Sequence, residues 1–283
     1  MFPTPLKHSS TAANVSYRFA LPITLLIWLL PLIAVALTSI RSIEDINQGN
    51  YWGMPTSWNM IENYGEVFRA TPMWQYLLNT LKITIPTVIG SIALATLAGF
   101  ALAKYKFRGN TFLFAIFIAG NFVPFQILMI PVRDLTISMG LYDTTMGLVL
   151  FHVAFQTGFC TLFMRNFIAQ LPNELMESAR SEGVKDWQIF TYIILPLVRP
   201  ALAALAVLIF TFIWNDFFWA LILVQSDEVR PVTAGLSALK GQWLASWHLI
   251  SAGSIIAAIP PVMLFFLMQK HFVAGLTLGA NKG

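Results

Sequence analysis

Charge is what this sequence has least of. Asp, Glu, Lys and Arg make up 11% of its 283 residues, against about 25% in a soluble domain. Meanwhile 57% of the chain is hydrophobic, and its mean hydropathy is +0.69. That excludes a soluble globular domain and points to an all-α integral membrane protein of several spans. Cysteine is nearly absent too. The single Cys160 lies in an apolar run, so there is neither a disulfide framework nor a Cys-rich metal site. The histidines, His8, His152, His248 and His271, are too scattered to suggest a metal centre. No Gly-x-x-x-x-Gly-Lys phosphate loop, no His-Glu-x-x-His and no Gly-x-Ser-x-Gly occurs. The usual ATP site and the common hydrolytic constellations are therefore excluded, and the chain reads as no enzyme. Internal repeats and low-complexity segments are also missing. The net charge of +4 needs no nucleic acid, because the topology accounts for it.

What is present is a series of long apolar runs. Phe19 to Ile40, Met73 to Ala103, Thr111 to Ile130, Met146 to Met164, Pro200 to Val224 and His248 to Met268 read as six spans. The first has a cleavage-like Ala34-Val35-Ala36, but its apolar run exceeds the 7–15 residues of a signal core and reads as a retained anchor. The second is longer than the roughly 20 residues a bilayer needs, so its start extends beyond the lipid. Residues 1–18 form a polar N-terminal segment, 19–268 the six-span domain with a long polar loop at 165–199, and 269–283 a tail. Arg41 to Pro72 reads as a polar loop whose Trp52, Trp58 and Tyr64 suit an interface.

Six spans put both termini on one side. That side holds Lys7, Arg18, Lys104, Lys106, Arg108, Arg165, Arg180, Lys185, Arg199, Lys270 and Lys282. The other holds only Arg41, Arg69, Arg133, Arg230 and Lys240. The positive-inside rule therefore expects both termini, and the 165–199 loop, in the cytoplasm.

Inside that loop lies a polar island, Leu171 to Gly183. Asn173 is a candidate helix cap, Glu174 and Glu177 suit the first turns, and Gly183 supplies a stop. At 100° per residue Leu175, Met176, Ala179 and Gly183 share one apolar arc, opposite Glu174, Glu177, Ser178, Arg180, Ser181 and Glu182. A small-residue stripe with a carboxylate rim fits a docking knob. A helix lying on lipid headgroups is the other reading, although such helices favour Lys and Arg. Asp186 is a candidate cap for a second short helix, closed by Pro196 and Pro200.

Polar residues within spans are costly and often functional. Gln126 follows Pro124 in the third span, His152 and Gln156 share a face of the fourth, and Asn215 and Asp216 interrupt the fifth beside Phe218 and Trp219. Hydrogen-bonding groups beside aromatic faces suit a sugar route, and ordinary helix packing explains them equally. Lys82 and Asn79 lie early in the second span, where a lysine snorkels. An ion-coupled secondary transporter would use Asp216 and His152, but it would be expected to show repeated halves.

Glu177-Ser178-Ala179, then Gly183, then Ile193-x-Leu195-Pro196, resembles the EAA loop of permease subunits of binding-protein-dependent ABC importers, with Ser178 in place of the second Ala. Trp214-Asn215-Asp216-Phe217 is similar to a signature of the carbohydrate-type permeases. Val123-Pro124-Phe125-Gln126, Ile130-Pro131, Gly140-Leu141-Tyr142-Asp143-Thr144 and the tail from Phe272 to Gly283 fit as well, with Asn281 where Val is common. The short N-terminal anchor resembles that of the maltose-type, second permease. The resemblance implies six transmembrane helices with a cytoplasmic coupling helix, in the bacterial inner membrane. It implies a second permease, two ATPases that use ATP and Mg while this chain binds no cofactor, a periplasmic solute-binding protein and a carbohydrate cargo. Glu174, Glu177, Ser178, Ala179, Gly183, Leu195 and Pro196 would form the ATPase coupling segment. Gln126, His152, Gln156, Asn215, Asp216 and Trp219 would line a substrate path. Gly235, Lys240 and Trp243 would lie on the loop that meets the binding protein.

Overall fold

A computed structural model describes residues 11–239 and 246–277. The chain divides into two units, Met1–Ala70 with Leu239–Ile256, and Thr71–Ala238 with Ala257–Gly283. Among the described residues the regular structure is helical, apart from one isolated bridge between Arg41 and Trp58.

The first unit contains α1 (Thr11–Ser39), α2 (Ile43–Asn47) and α3 (Met60–Ala70). Helix α1 begins eight residues before the expected span, and its apolar stretch Arg18–Ser39 buries none of its best window. The stretch expected as a polar loop carries two helices. Ser42 caps α2 by accepting from the Asp45 N–H. The Asp45 carboxylate then accepts from the backbone N–H and hydroxyl of Thr56, each at 2.9 Å, and from Asn50 Nδ2. The Thr56 N–H foremost holds that carboxyl below the usual carboxylate range. Asn63 donates through Nδ2 to the carbonyls of Ser39 and Arg41, fixing α3 to the end of α1. Trp52 and Trp58 stay exposed.

The second unit is built on α4 (Met73–Lys104) and α7 (Thr145–Ala169). Ser91, Ala95 and Gly99 recur every fourth residue on α4 and are all buried. They let α7 approach closely through Cys160, Thr161 and Met164. A Cβ on Gly99 would stand 2.8 Å from the Arg165 nitrogen, so only glycine fits this crossing. The buried hydroxyls of Thr80, Thr87 and Thr96 bond back to carbonyls four residues earlier, which satisfies them without a partner helix. At 32 residues, α4 is about 48 Å long, well beyond the ~30 Å hydrocarbon core.

Between them lie α5 (Asn110–Gly120), a 3₁₀ turn (Phe125–Leu128) and α6 (Met129–Ser138). The expected third span is therefore broken. Its two parts bend by 87°, because Pro124 lacks an N–H and forces its predecessor toward extended backbone. After α7 come α8 (Glu174–Ser181), α9 (Asp186–Gln188), a π-helical stretch (Ile189–Ile194) and α10 (Leu195–Leu197). The chain then turns by 73° into α11 (Arg199–Trp214). The eleven residues of α5, about 17 Å, and the sixteen of α11, about 24 Å, each fall short of a full crossing. The expected fifth span stops at Trp214 and resumes as α12 (Phe218–Leu223). Helix α13 (Val232–Gly235) and a short 3₁₀ turn (Leu236–Leu239) follow. The last helix, α14 (Trp247–Thr277), continues nine residues past the expected end of the sixth span. Counting straight helices gives four candidate crossings, and counting each bent pair as one gives six.

Candidate functional site

The two helix breaks meet at one cavity. Trp214 is fully buried, and its indole Nε1 donates to the Ala257 carbonyl at 2.9 Å, anchoring the end of α11. The chain then leaves helical geometry at Asn215 and Asp216. Asp216 restarts it: Oδ1 accepts from the Trp219 N–H and Oδ2 from the Ala220 N–H, the free donors of the first turn of α12. His152 Nε2 on α7 lies 3.4 Å from Asp216 Oδ2. Phe125, just past the first break, meets Phe218, just past the second, edge to face at 4.9 Å.

Around these groups is a cavity of about 360 Å³ with Asn121, His152, Gln156 and Asp216 as its polar lining and Phe155, Phe159 and Trp219 among its aromatic lining. Gln156 sits close to the middle of α7, eleven residues from its start and thirteen from its end. A second cavity, of about 630 Å³, opens beside Thr211, Asn215 and Phe217 and shares Phe212, Asp216 and Phe218. The Asn215 amide donates back to the Thr211 carbonyl at 2.9 Å.

His152, Gln156, Asp216 and Trp219 are thus brought together, and Asn215 belongs to the neighbouring cavity. Gln126 is not; it lies exposed on the 3₁₀ turn and lines neither cavity. Asn121 was missed by the sequence reading, although a polar residue before Pro124 in an apolar run was a usable signal. Lys82 is exposed on α4, nine residues from a helix end that overruns the bilayer.

Beyond α12 the chain is locked down. The Gly140–Thr144 turn has Gly140 at φ +68° and Asp143 at φ +57°. The Asp143 N–H donates to the Leu223 carbonyl. Its carboxylate accepts from the Gln225 N–H and from the N–H and hydroxyl of Ser226, at 2.9–3.0 Å. Partial burial works to raise this carboxyl, but those donors outweigh it and hold the group below the usual range. Tyr76 donates to Asp227, and Asn79 to the carbonyls of Glu228 and Arg230. Gly235 is buried with no room for a Cβ against the Tyr76 ring. The expectation that Gly235 meets a binding protein is therefore corrected: it is a packing residue of this wall. Lys240 and Trp243 lie outside the described residues.

The segment expected to couple to an ATPase departs from expectation in two places. Asn173 stands at the N-cap of α8, but its side chain makes no capping bond. Its Oδ1 accepts from Lys104 Nζ at 2.9 Å, and Lys104 also donates to the Leu171 carbonyl. Nor does the whole small-residue arc face outward, because its two halves part. Met176 and Ala179 are 3% and 8% exposed and join the core formed by α4, α7 and α11. The open face carries Glu174, Leu175, Glu177, Ser178, Glu182 and Gly183. Gly183 ends the helix at φ +79° with open space where a Cβ would go. Leu195 and Pro196 are half-buried at the turn into α11. Trp187 and Tyr192 extend the open face, 58% and 72% exposed, and were not anticipated. Arg180 Nε pairs with Asp186 Oδ1 at 3.0 Å, and its guanidinium lies over the Tyr105 ring. The Asp186 carboxylate holds the Arg180 guanidinium above its usual value, and the Tyr105 hydroxyl bonds to Asp186 as well.

Broken helices around a cavity, together with an exposed amphipathic helix seated in the same core, define a helical membrane transport component. The model for the binding-protein-dependent transport system inner membrane component matches residues 91–278, and the chain belongs to that family. It is the permease component of a binding-protein-dependent ABC importer and a multi-pass inner-membrane protein. The osmoprotective compounds uptake permease protein GgtD of Synechocystis sp. is 36% identical over 264 residues, 90% of this chain and 88% of its own. The arabinooligosaccharides transport system permease protein AraQ of Halalkalibacterium halodurans is 33% identical over 255 residues, 89% of this chain and 91% of its own. A crystal structure of a bacterial ABC transporter involved in the import of the acidic polysaccharide alginate shares the fold. It has a TM-score of 0.78 at 24% identity, over 95% of this chain and 100% of that one.

Proposed function

We propose that this permease moves a carbohydrate or a related polar solute inward and is driven by separate ATPase subunits through the 171–183 segment. The observation that carries the coupling is the seating of α8. Its inner residues, Met176 and Ala179, belong to one continuous core with Phe100 of α4, Met164 of α7 and Trp219 beside the cavity. Its outer face is exposed and rimmed with carboxylates. A force on that face reaches α4, α7 and the cavity walls through close-packed side chains. Glu177 would pair with a basic residue of the ATPase, with Leu175, Trp187 and Tyr192 supplying apolar contact.

The sugar assignment rests on the cavity, which pairs amides with aromatic faces, and on what the named relatives carry. Helix α5 buries no residue of its own, which suits a second permease packed against it. A periplasmic binding protein would deliver solute on the side opposite α8. Both termini and α8 would lie in the cytoplasm, with residues 1–18 and 269–283 flanking the membrane domain. ATP and Mg would be bound by the partner chains.

The test is purification of the tagged chain in mild detergent, co-expressed with its genomic neighbours. A second permease and an ATPase should co-elute, and Glu177→Lys should abolish solute uptake while leaving the two permeases together. A chain that elutes alone and moves solute without ATP would overturn the reading.

A further inference from the structure

We propose that Gln156 is the amide that meets the transported solute, and that the solute is uncharged and polyhydroxylated. This rests on the cavity being the solute path.

The polar groups of the cavity divide into occupied and free. Both oxygens of Asp216 accept from backbone N–H groups of α12, and His152 Nε2 stands beside one of them. This pair therefore pins α7 to the restart of the broken helix, and each Asp216 oxygen already holds a donor from the protein. Asn121 is partly spent, because its amide donates to the Phe117 carbonyl at 2.8 Å. Gln156 is different. It is half-buried and lines the cavity one helical turn from His152, and its side chain makes no hydrogen bond among the described residues. A primary amide left free in a mostly aromatic cavity offers one acceptor and two donors from one plane. That set matches neighbouring hydroxyl groups, whose C–H faces the Phe155, Phe159 and Trp219 rings would cover.

Charge points the same way. Neither Lys nor Arg lines the cavity, so a carboxylate or phosphate on the solute would find no counter-charge and would face Asp216. Desolvating an unpaired anion there is strongly unfavourable. An ammonium group would find a carboxylate already engaged by three donors or near neighbours. A hydroxyl-bearing neutral solute needs nothing the cavity lacks.

The experiment uses the whole importer, this chain with its partner permease, ATPase and binding protein, in vesicles loaded with ATP. A mixture of ¹³C-labelled glycosides, polyols, uronates, sugar phosphates and amino sugars is presented outside, and the lumen is analysed by mass spectrometry. Accumulation confined to uncharged glycosides or polyols is expected. Gln156→Leu should then lower uptake of that same compound roughly tenfold at low concentration. Gln156→Asn should recover part of it, with complexes that melt at the wild-type temperature. ATP-driven accumulation of a uronate, phosphate or amine would overturn the inference while leaving the importer reading standing. So would wild-type uptake by Gln156→Leu. No ATP-driven accumulation of any compound would overturn the importer reading, and this inference with it.

Discussion

Two carboxylates tie the second unit together, Asp143 near the end of α12 and Asp186 beside α8, and they do so in different ways. Asp143 accepts from backbone N–H groups and a hydroxyl on a segment more than eighty residues away in sequence. Two of those donors are backbone N–H groups and all three are uncharged, so salt does not loosen them. Asp186 pairs with Arg180 in the open, with side chains 51% and 41% exposed. An exposed pair contributes about 0–1 kcal/mol and weakens as salt rises. The first tie is built to hold the wall around Tyr76, Asn79 and Val232. The second fastens α8 and its following turn to Tyr105 at the end of α4 by a clasp that opens at little cost. If α8 is moved by a partner, as proposed, the second kind is what it needs.

The largest effect expected from breaking this contrast is at Asp143. Asp143→Ala removes the acceptor for three donors at once and should destabilise the purified permease by about 1–3 kcal/mol. Its melting temperature should drop well below that of Asp186→Ala. The tie should also respond to pH in a definite direction. The Asp143 carboxyl is lowered in the fold, so its contribution is complete above the unfolded value near 3.9 and is lost as pH falls through the lower, folded value. The melting difference between wild type and Asp143→Ala should stay flat from about pH 7 to pH 5 and shrink only under stronger acid. A difference that fades between pH 7 and 5 would mean the tie is not carried by this carboxylate.

An intermediate effect is expected at Gly183, which closes α8. The left-handed backbone there penalises a Cβ, while the space around it is open. Gly183→Val should cost roughly 1–2 kcal/mol of local strain, whereas Gly183→Asn, which tolerates that conformation, should be close to neutral. Valine should therefore displace the end of α8 and lower uptake per ATP hydrolysed, with asparagine near wild type. Equal uptake by both variants would show that the position of α8 does not govern coupling.

How far the sequence revealed this arrangement follows from what kind of information each feature carries. Helices α4 and α7 were legible because hydropathy and length are local properties. The two breaks were only half legible. Pro124 and Asn215-Asp216 marked them, but whether an apolar run kinks or reverses depends on what restarts the helix, and Asp216 does that with donors from its own next turn. The helical wheel put Leu175, Met176, Ala179 and Gly183 on one outward arc, and the fold splits it. The wheel holds no information on which side the core lies, so it could not show that Met176 and Ala179 pack into the chain's own core. Asp143 stood in a quoted motif, yet its partners Gln225 and Ser226 are distant in sequence and nothing local names them. In the first unit, Ser42 and Asp45 were available as a helix-start signal, and the expectation of a polar loop passed over it.

The smallest effect on stability, and the sharpest on coupling, is expected at Asp186. Asp186→Asn removes the ion pair to Arg180 but leaves an oxygen that still bonds to Tyr105. The melting temperature should move by less than about 1 kcal/mol would produce, and 0.5 M salt should mimic most of the change in the wild type. If α8 passes its motion to α4 through this clasp, uptake per ATP should fall about twofold while ATP hydrolysis continues. The exchange Arg180→Asp with Asp186→Arg should restore part of the lost ratio, because it returns the attraction in the opposite sense. A merely structural role for the pair would leave that ratio unchanged in the single variant and in the exchange. The connection between α8 and α4 would then have to be assigned to Lys104, Leu171 and Asn173 instead.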